Sequence, residues 1–196
     1  MLFETGNQLA LYISLAGWAL TQLGLMWRYA SLRSSATPPV RRNPISFVFF
    51  MVASAGLYVV FMPPYAITGD TSGDSARTQI AIVSLLSIFG TWLFWAALLK
   101  LGQNFAASAQ VREEGHLVTT GPYGLVRNPI YLAYFLLLIA SGLALGNLAH
   151  LLIGSAVYLF GTAARILIEE RVLRAHFGDA YDQYAARVKR LIPFIW

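Results

Sequence analysis

Five apolar runs separated by short polar links set the limits on what this chain can fold into. The first extends from about Leu9 to Trp27, the second from about Ile45 to Met62, and the third from Ile80 to Leu99. The fourth, from about Ile130 to Leu145, is short, and the fifth runs from Leu148 to about Ile168. A helix needs roughly 20 apolar residues to cross the hydrocarbon of a bilayer. Unpartnered backbone groups are costly in lipid, so helices are the form these runs can take. The 57% hydrophobic content and mean hydropathy of +0.59 agree with a membrane protein and not with a soluble core. The expected fold is therefore all-α, a polytopic membrane protein with five transmembrane helices. It is read as one domain over residues 1–196, with N-terminal helices at about 9–62 and the functional region at about 100–196. The first run has no basic residue before it and no small-residue cleavage pattern after it, so it is expected to remain as a helix and not to be a signal peptide.

The charges orient these helices. Arg28, Arg33, Arg41 and Arg42 lie between the first two runs, and Lys100, Arg112 and Arg127 lie between the third and fourth, against Glu113 and Glu114. Arg171, Arg174, Arg187, Lys189 and Arg190 follow the fifth. The opposite side carries Glu4, Asp70, Asp74 and a single arginine, Arg77. By the positive-inside tendency, the basic side is cytoplasmic, with the N-terminus outside and the C-terminus inside, as for a multi-pass protein of a cell inner membrane. The net charge of +5 is then accounted for by topology and anionic membrane lipids, and nucleic acid is not an expected partner. With no cysteine, disulfides, a thiolate nucleophile and a cysteine-held metal are excluded. His116, His150 and His176 neither cluster nor show zinc-site spacing, so no metal is expected. No phosphate-binding loop or dinucleotide fingerprint is present.

Only Gly146-Asn147 joins the fourth and fifth runs, which requires a tight antiparallel hairpin. That hairpin brings Arg127, Asn128 and Tyr131 to the same membrane face as Arg165, Glu169 and Glu170, some forty residues away in sequence. The stretch TTGPYGLVRNPIY, residues 119–131, cannot be continuous helix, because Pro122 and Pro129 remove donors and restrict their neighbours. Pro129 suits the first turn of the fourth helix with Asn128 as its cap. The stretch can be read as a capped helix start or as the wall of a ligand site, and local physics does not choose. Arg165 and Glu169 share a helical face four residues apart. They form either a structural ion pair or the two poles of a site for a ligand carrying both charges. Glu170 points about 100 degrees away and is expected to face water. Beyond Gly178, the residues Tyr181, Tyr184, Val188 and Leu191 recur at helical spacing. They predict an amphipathic cytoplasmic helix lying on the headgroups or over the site.

Three blocks then carry a resemblance: LGQNF with HLVTTGPYGLVRNPIYLA, the RxxxEE of Arg165 to Glu170, and the FGxxYxxY of Phe177 to Tyr184. Together they resemble the isoprenylcysteine carboxyl methyltransferase family of integral membrane enzymes, which includes related phospholipid methyltransferases. The resemblance covers roughly residues 100–196 and implies S-adenosylmethionine as cofactor, held at the cytoplasmic side. It implies that Gln110, Gly115, His116, Leu117 and Val118 border the cofactor. Tyr123, Arg127 and the segment Asn128, Pro129, Ile130 and Tyr131 would close around it, and Glu169 would meet a polar or cationic part. The implied catalytic candidates are Arg165, which would orient the acceptor, with Glu169 and Glu170. The sequence reads VRNP where the prenylcysteine enzymes typically carry histidine before the proline, and asparagine neither carries charge nor relays a proton.

The expected reaction is methyl transfer to a lipidic acceptor, foremost the carboxylate of a prenylcysteine-like substrate. A carboxylate is already ionised at neutral pH and needs orientation, not a base. A phospholipid amine is the alternative acceptor, and it would need Glu170 or His116 as base. The rival classes are a membrane scaffold without catalysis and a reductase resembling the sterol reductases, with a nicotinamide cofactor.

Overall fold

A computed structural model describes residues 5–33, 44–63, 74–102 and 116–196. Its helices are α1 (Thr5–Arg33), α2 (Pro44–Val59), α3 (Asp74–Leu101), α4 (Pro129–Leu145), α5 (Leu148–Phe177) and α6 (Asp179–Arg187), with a short 3-10 turn at Gly121–Gly124 before α4. The described residues form no strand, so the all-α expectation holds. Each of the five apolar runs lies in its own helix, except that the second ends in a turn over residues 60–62 past the end of α2. Gln8–Ser31 within α1, together with α3 and α5, is long and apolar enough to cross a membrane, whereas Ile45–Val59 and Pro129–Leu145 are shorter apolar helices. At 1.5 Å per residue, the 17 residues of α4 rise about 25 Å, short of the ~30 Å hydrocarbon.

The short α4 is at the middle of the bundle. Large apolar side chains of α1, α2, α3 and α5 stand exposed, among them Leu23, Met51, Leu85, Trp92 and Phe160, and α4 contributes none. Ala133 packs with Leu93, Phe94 and Leu98 of α3. Ala140 and Ala144 pack with Ala10 of α1 and Val83 of α3. Leu138 and Leu145 join Ala53 and Val60 from the α2 side and Leu151 and Tyr158 of α5. A helix enclosed by its neighbours need not match the bilayer by itself, and the irregular backbone before it is tolerated where protein covers it.

Polar and small residues tie these helices together, as they do where lipid offers no hydrophobic drive between helices. Ser14 and Ser141 hydroxyls lie 2.8 Å apart across α1 and α4, and the Trp18 indole N–H donates to Ser141 Oγ at 2.9 Å. On the far side of the bundle, the Gln79 amide donates to the Leu143 carbonyl at 2.6 Å. α2 and α5 approach backbone to backbone. A methyl group on Gly161 would come within 2.5 Å of the Ala53 nitrogen, and one on Gly154 within 2.8 Å of the Gly56 carbonyl.

The α4–α5 hairpin forms as its two-residue link requires. Gly146 adopts φ +69° and its N–H bonds the Gly142 carbonyl, while Asn147 Oδ1 accepts from the His150 N–H at 3.0 Å. α5 then continues about two and a half turns past Ile168 to Phe177, carrying Glu169 and Glu170 out of the apolar run.

Candidate functional site

The segment TTGPYGLVRNP is built by its own residue types. Gly121 takes φ +66°, Pro122 starts the 3-10 turn, and the N–H groups of Leu125 and Val126 both bond the Pro122 carbonyl at 3.1 and 3.2 Å. Pro129 is the first residue of α4, with Asn128 at the cap position. Tyr123 is buried at the turn, and its carbonyl accepts from the Tyr184 hydroxyl of α6 at 2.7 Å. Burial pushes both phenols well above their ordinary range, so both stay protonated.

The loop is paired with the C-terminal segment that follows α6. Val126 and Lys189 form an isolated parallel bridge. The Arg127 N–H donates to the Lys189 carbonyl at 2.7 Å and the Asn128 N–H to the Arg190 carbonyl at 3.0 Å. The Asn128 side chain makes no helix-capping bond. It donates from Nδ2 to the same Arg190 carbonyl at 3.0 Å, which corrects the expectation of a side-chain cap.

Two charged clusters lie beneath this pairing. In the first, Arg127 donates from Nε and Nη2 to Glu170 Oε1 at 3.0 and 2.7 Å. Its Nη1 donates to the carbonyls of Ala185 and Val188 at 2.6 and 3.0 Å. Arg190 Nε takes the other carboxylate oxygen, Glu170 Oε2, at 3.0 Å. Glu170 is thus turned away from Glu169 as its helical position requires, but its side chain is 5% exposed and does not face water. The direction from α5 was set by the helix period, while the cover came from residues 185–190, distant in sequence.

In the second cluster, Arg165 Nε donates to Glu169 Oε1 at 2.8 Å and to the Tyr131 hydroxyl at 2.6 Å. The Tyr131 hydroxyl in turn lies 3.0 and 2.9 Å from the two Glu169 oxygens and donates to that carboxylate. The Arg165 guanidinium sits 5.0 Å from the Phe50 ring centre and 5.7 Å from that of Tyr131. Those spacings suit cation–π attraction on both sides. The Tyr158 hydroxyl donates to the Tyr131 carbonyl at 2.7 Å and fixes the first turn of α4 against α5. Glu169 keeps 19% of its side chain exposed against 5% for Glu170, so it is the more accessible of the two carboxylates.

The remaining predicted positions are spread around these clusters. His116 is exposed, and Leu117 and Val118 are half-buried, in the extended strip before the turn. Ile130 turns to α3 and packs with Leu93, Phe94 and Leu98, and Pro129 is buried at the start of α4. Gln110 and Gly115 lie outside the described residues. α6 also departs from the expected pattern: it ends at Arg187, so Val188 is not part of it. Tyr181, Tyr184 and Leu191 are buried in the protein and are not laid on headgroups. Arg190, Phe50 and Tyr158 were not among the predicted site residues. Arg190 was hidden by its own basic neighbourhood, which reads as a topology signal.

The model of the phospholipid methyltransferase family matches residues 78–180. The chain belongs to that family. The match takes in Arg127, Tyr131, Arg165, Glu169 and Glu170, and stops short of Tyr181, Tyr184 and Arg190. Among curated proteins, the chain is 37% identical over 108 residues to a protein-S-isoprenylcysteine O-methyltransferase of Schizosaccharomyces pombe, covering 54% of this chain and 46% of the relative. It is 32% identical over 110 residues to protein-S-isoprenylcysteine O-methyltransferase B of Arabidopsis thaliana, covering 55% and 56%. With the Saccharomyces cerevisiae protein of the same name it shares 34% identity over 125 residues, covering 62% and 52%. The chain therefore spans about half the length of the curated relatives it matches.

Proposed function

We propose that the chain catalyses methyl transfer from S-adenosylmethionine to the carboxylate of a lipidic, prenylcysteine-like acceptor. The observation that carries this reading is that both glutamates of the site are held by guanidinium groups, Glu169 by Arg165 and Glu170 by Arg127 and Arg190. A carboxylate bonded to two arginines is a poor proton acceptor, and His116 is exposed outside the clusters. Among the described residues, Glu170 is thus poorly suited to act as base for a protonated amine, whereas an ionised carboxylate needs none. Its relatives' names point the same way, and the family name keeps the phospholipid amine as the second reading.

The donor set fits the cofactor. Glu169, a partly exposed anion beside the Tyr131 ring, suits a cationic sulfonium or ammonium group. The strip of His116, Leu117 and Val118, the turn at Tyr123, and Asn128 to Tyr131 would hold the rest, with Gln110 and Gly115 before them. When bound, S-adenosylmethionine supplies a methyl group already activated on a sulfonium. The protein's own contribution is orientation and exclusion of water. Arg165 orients the acceptor carboxylate through its planar guanidinium. Glu170 positions Arg127 and the loop, and is assigned no proton transfer.

Phe50 of α2 is exposed, and its ring lies 5.0 Å from the Arg165 guanidinium. In this reading the acceptor's hydrophobic tail enters sideways from the bilayer and the cofactor arrives from the cytoplasm. Five membrane helices carry the site in a multi-pass inner-membrane protein, N-terminus outside and C-terminus cytoplasmic, with α6 as an amphipathic cover. The test is transfer of labelled methyl from S-adenosylmethionine to prenylcysteine analogues, phosphatidylethanolamine and a lipid extract. An alkali-labile methyl ester on the prenylcysteine analogue is the expected product. Alkali-stable label on phosphatidylethanolamine alone would transfer the assignment to the amine reading. Equal methylation of short water-soluble acceptors would remove the sideways entrance.

A further inference from the structure

After Arg190 the chain turns back on itself, with the N–H groups of Leu191 and Ile192 both bonded to the Trp196 carbonyl at 2.7 and 2.9 Å. The tip of this turn is apolar and unburied: Phe194 is 94% exposed and Ile195 is also exposed. Phe194 has φ +67°, a left-handed conformation that a bulky aromatic rarely adopts. On the segment paired with this C-terminal stretch, Leu125 stands exposed one residue before the Val126–Lys189 bridge. Arg187 and Lys189, on the chain leading into this turn, are exposed and basic, as is Arg171 on α5.

The position of this tip is set by its attachments. Arg190 bonds Glu170 two residues past the apolar run of α5, and its carbonyl holds Asn128 at the start of α4. In the proposed topology, both contacts lie where helices enter the bilayer on the basic side. Exposed aromatic and aliphatic side chains next to lysine and arginine at that depth have the composition of a membrane-interface contact. Anionic headgroups of the cytoplasmic leaflet complement the charge.

We propose that residues 192–196, with Leu125, form a hook that inserts into the cytoplasmic leaflet and braces the 121–128 loop from the lipid side. The bracing path is short. Arg190 lies 5.6 Å over the Trp196 ring, bonds Glu170 through its side chain, and accepts from Asn128 through its carbonyl. The membrane contact is then the hook, and not α6, whose tyrosines are turned into the protein.

The native chain has no cysteine, so a single introduced one gives a unique label. Phe194→Cys, Leu125→Cys and, as an aqueous reference, Gln183→Cys at an exposed position of α6 are labelled and reconstituted in phosphatidylcholine–phosphatidylglycerol vesicles. The labels at 194 and 125 should be quenched by lipids spin-labelled near the headgroup, and the label at 183 by a water-soluble quencher. Equal aqueous quenching at 194 and 183 overturns insertion. Quenching at 194 that appears only as protein density in the bilayer rises marks a second copy as the occupant and also overturns it. The brace is read by hydrogen exchange at the Arg127 and Asn128 amides in Phe194→Glu/Ile195→Glu protein in the same vesicles. Exchange faster on the order of tenfold is expected as the segment opens locally. Unchanged exchange removes the brace. Neither readout depends on methyl transfer.

Discussion

Glu169 and Glu170, consecutive on α5, meet two different sets of partners. Glu170 has both oxygens taken by Arg127 and Arg190, and Arg127 also collects the Ala185 and Val188 carbonyls. Glu169 shares one arginine and one tyrosine hydroxyl and remains partly exposed. One residue of helix, about 100 degrees of rotation, separates a sealed joint from an accessible pole. The difference teaches that the doubled glutamate is two devices. One holds the loop and the C-terminal segment to α5, and the other, in the proposed function, presents charge to a ligand.

The largest effect should come from breaking the sealed joint. Glu170→Ala leaves two buried or half-buried guanidinium groups without their carboxylate, which costs about 3–5 kcal/mol. Thermal unfolding in detergent or nanodiscs should show this as a lowered midpoint or a failure to accumulate, whatever the activity. A midpoint like that of the unaltered protein would break the comparison at once.

At the open pole, the expected losses are in catalysis. Arg165→Lys keeps the charge but loses the planar donor pair, and about a hundredfold loss in kcat/KM is expected, with a much smaller change in melting. A fall in melting as large as that of Glu170→Ala would make this cluster structural as well. Tyr131→Phe removes the hydroxyl that accepts from Arg165 and donates to Glu169. It should cost about 1–2 kcal/mol, read as roughly a tenfold loss in transfer rate.

How much of this was legible in the sequence follows from range. Apolar runs and a two-residue link are local signals, so the five helices and the α4–α5 hairpin were readable. From the hairpin came the approach of Tyr131 to Arg165 and Glu169. The shortness of α4 was also visible, though not its reason, the enclosure by α1, α3 and α5. The pairing of 126–128 with 189–190 was not readable. Three residues of extended chain have no periodicity, and their partners lie sixty positions away. Asn128 therefore looked like a cap when it is a strut, and Glu170 looked solvated because its cover was invisible.

The smallest effect expected tests that strut. Asn128→Ala loses the side-chain bond to the Arg190 carbonyl while the backbone N–H keeps its own. It should lower stability by about 0.5–1.5 kcal/mol, measured by the same unfolding experiment. A much larger loss would give the asparagine a role that its one hydrogen bond does not explain.

The most direct test compares S-adenosylmethionine binding by Glu169→Gln and Glu170→Gln, each measured well below its own melting temperature. Glu169→Gln leaves the buried Arg165 without its carboxylate and so melts lower as well, but while folded it should bind at least about tenfold more weakly, as expected for a lost charged hydrogen bond. Glu170→Gln should melt lower yet bind within a few-fold. If the folded Glu170 variant loses affinity as fully as the Glu169 variant, or if Glu169→Gln binds unchanged, the division between sealed joint and open pole is contradicted.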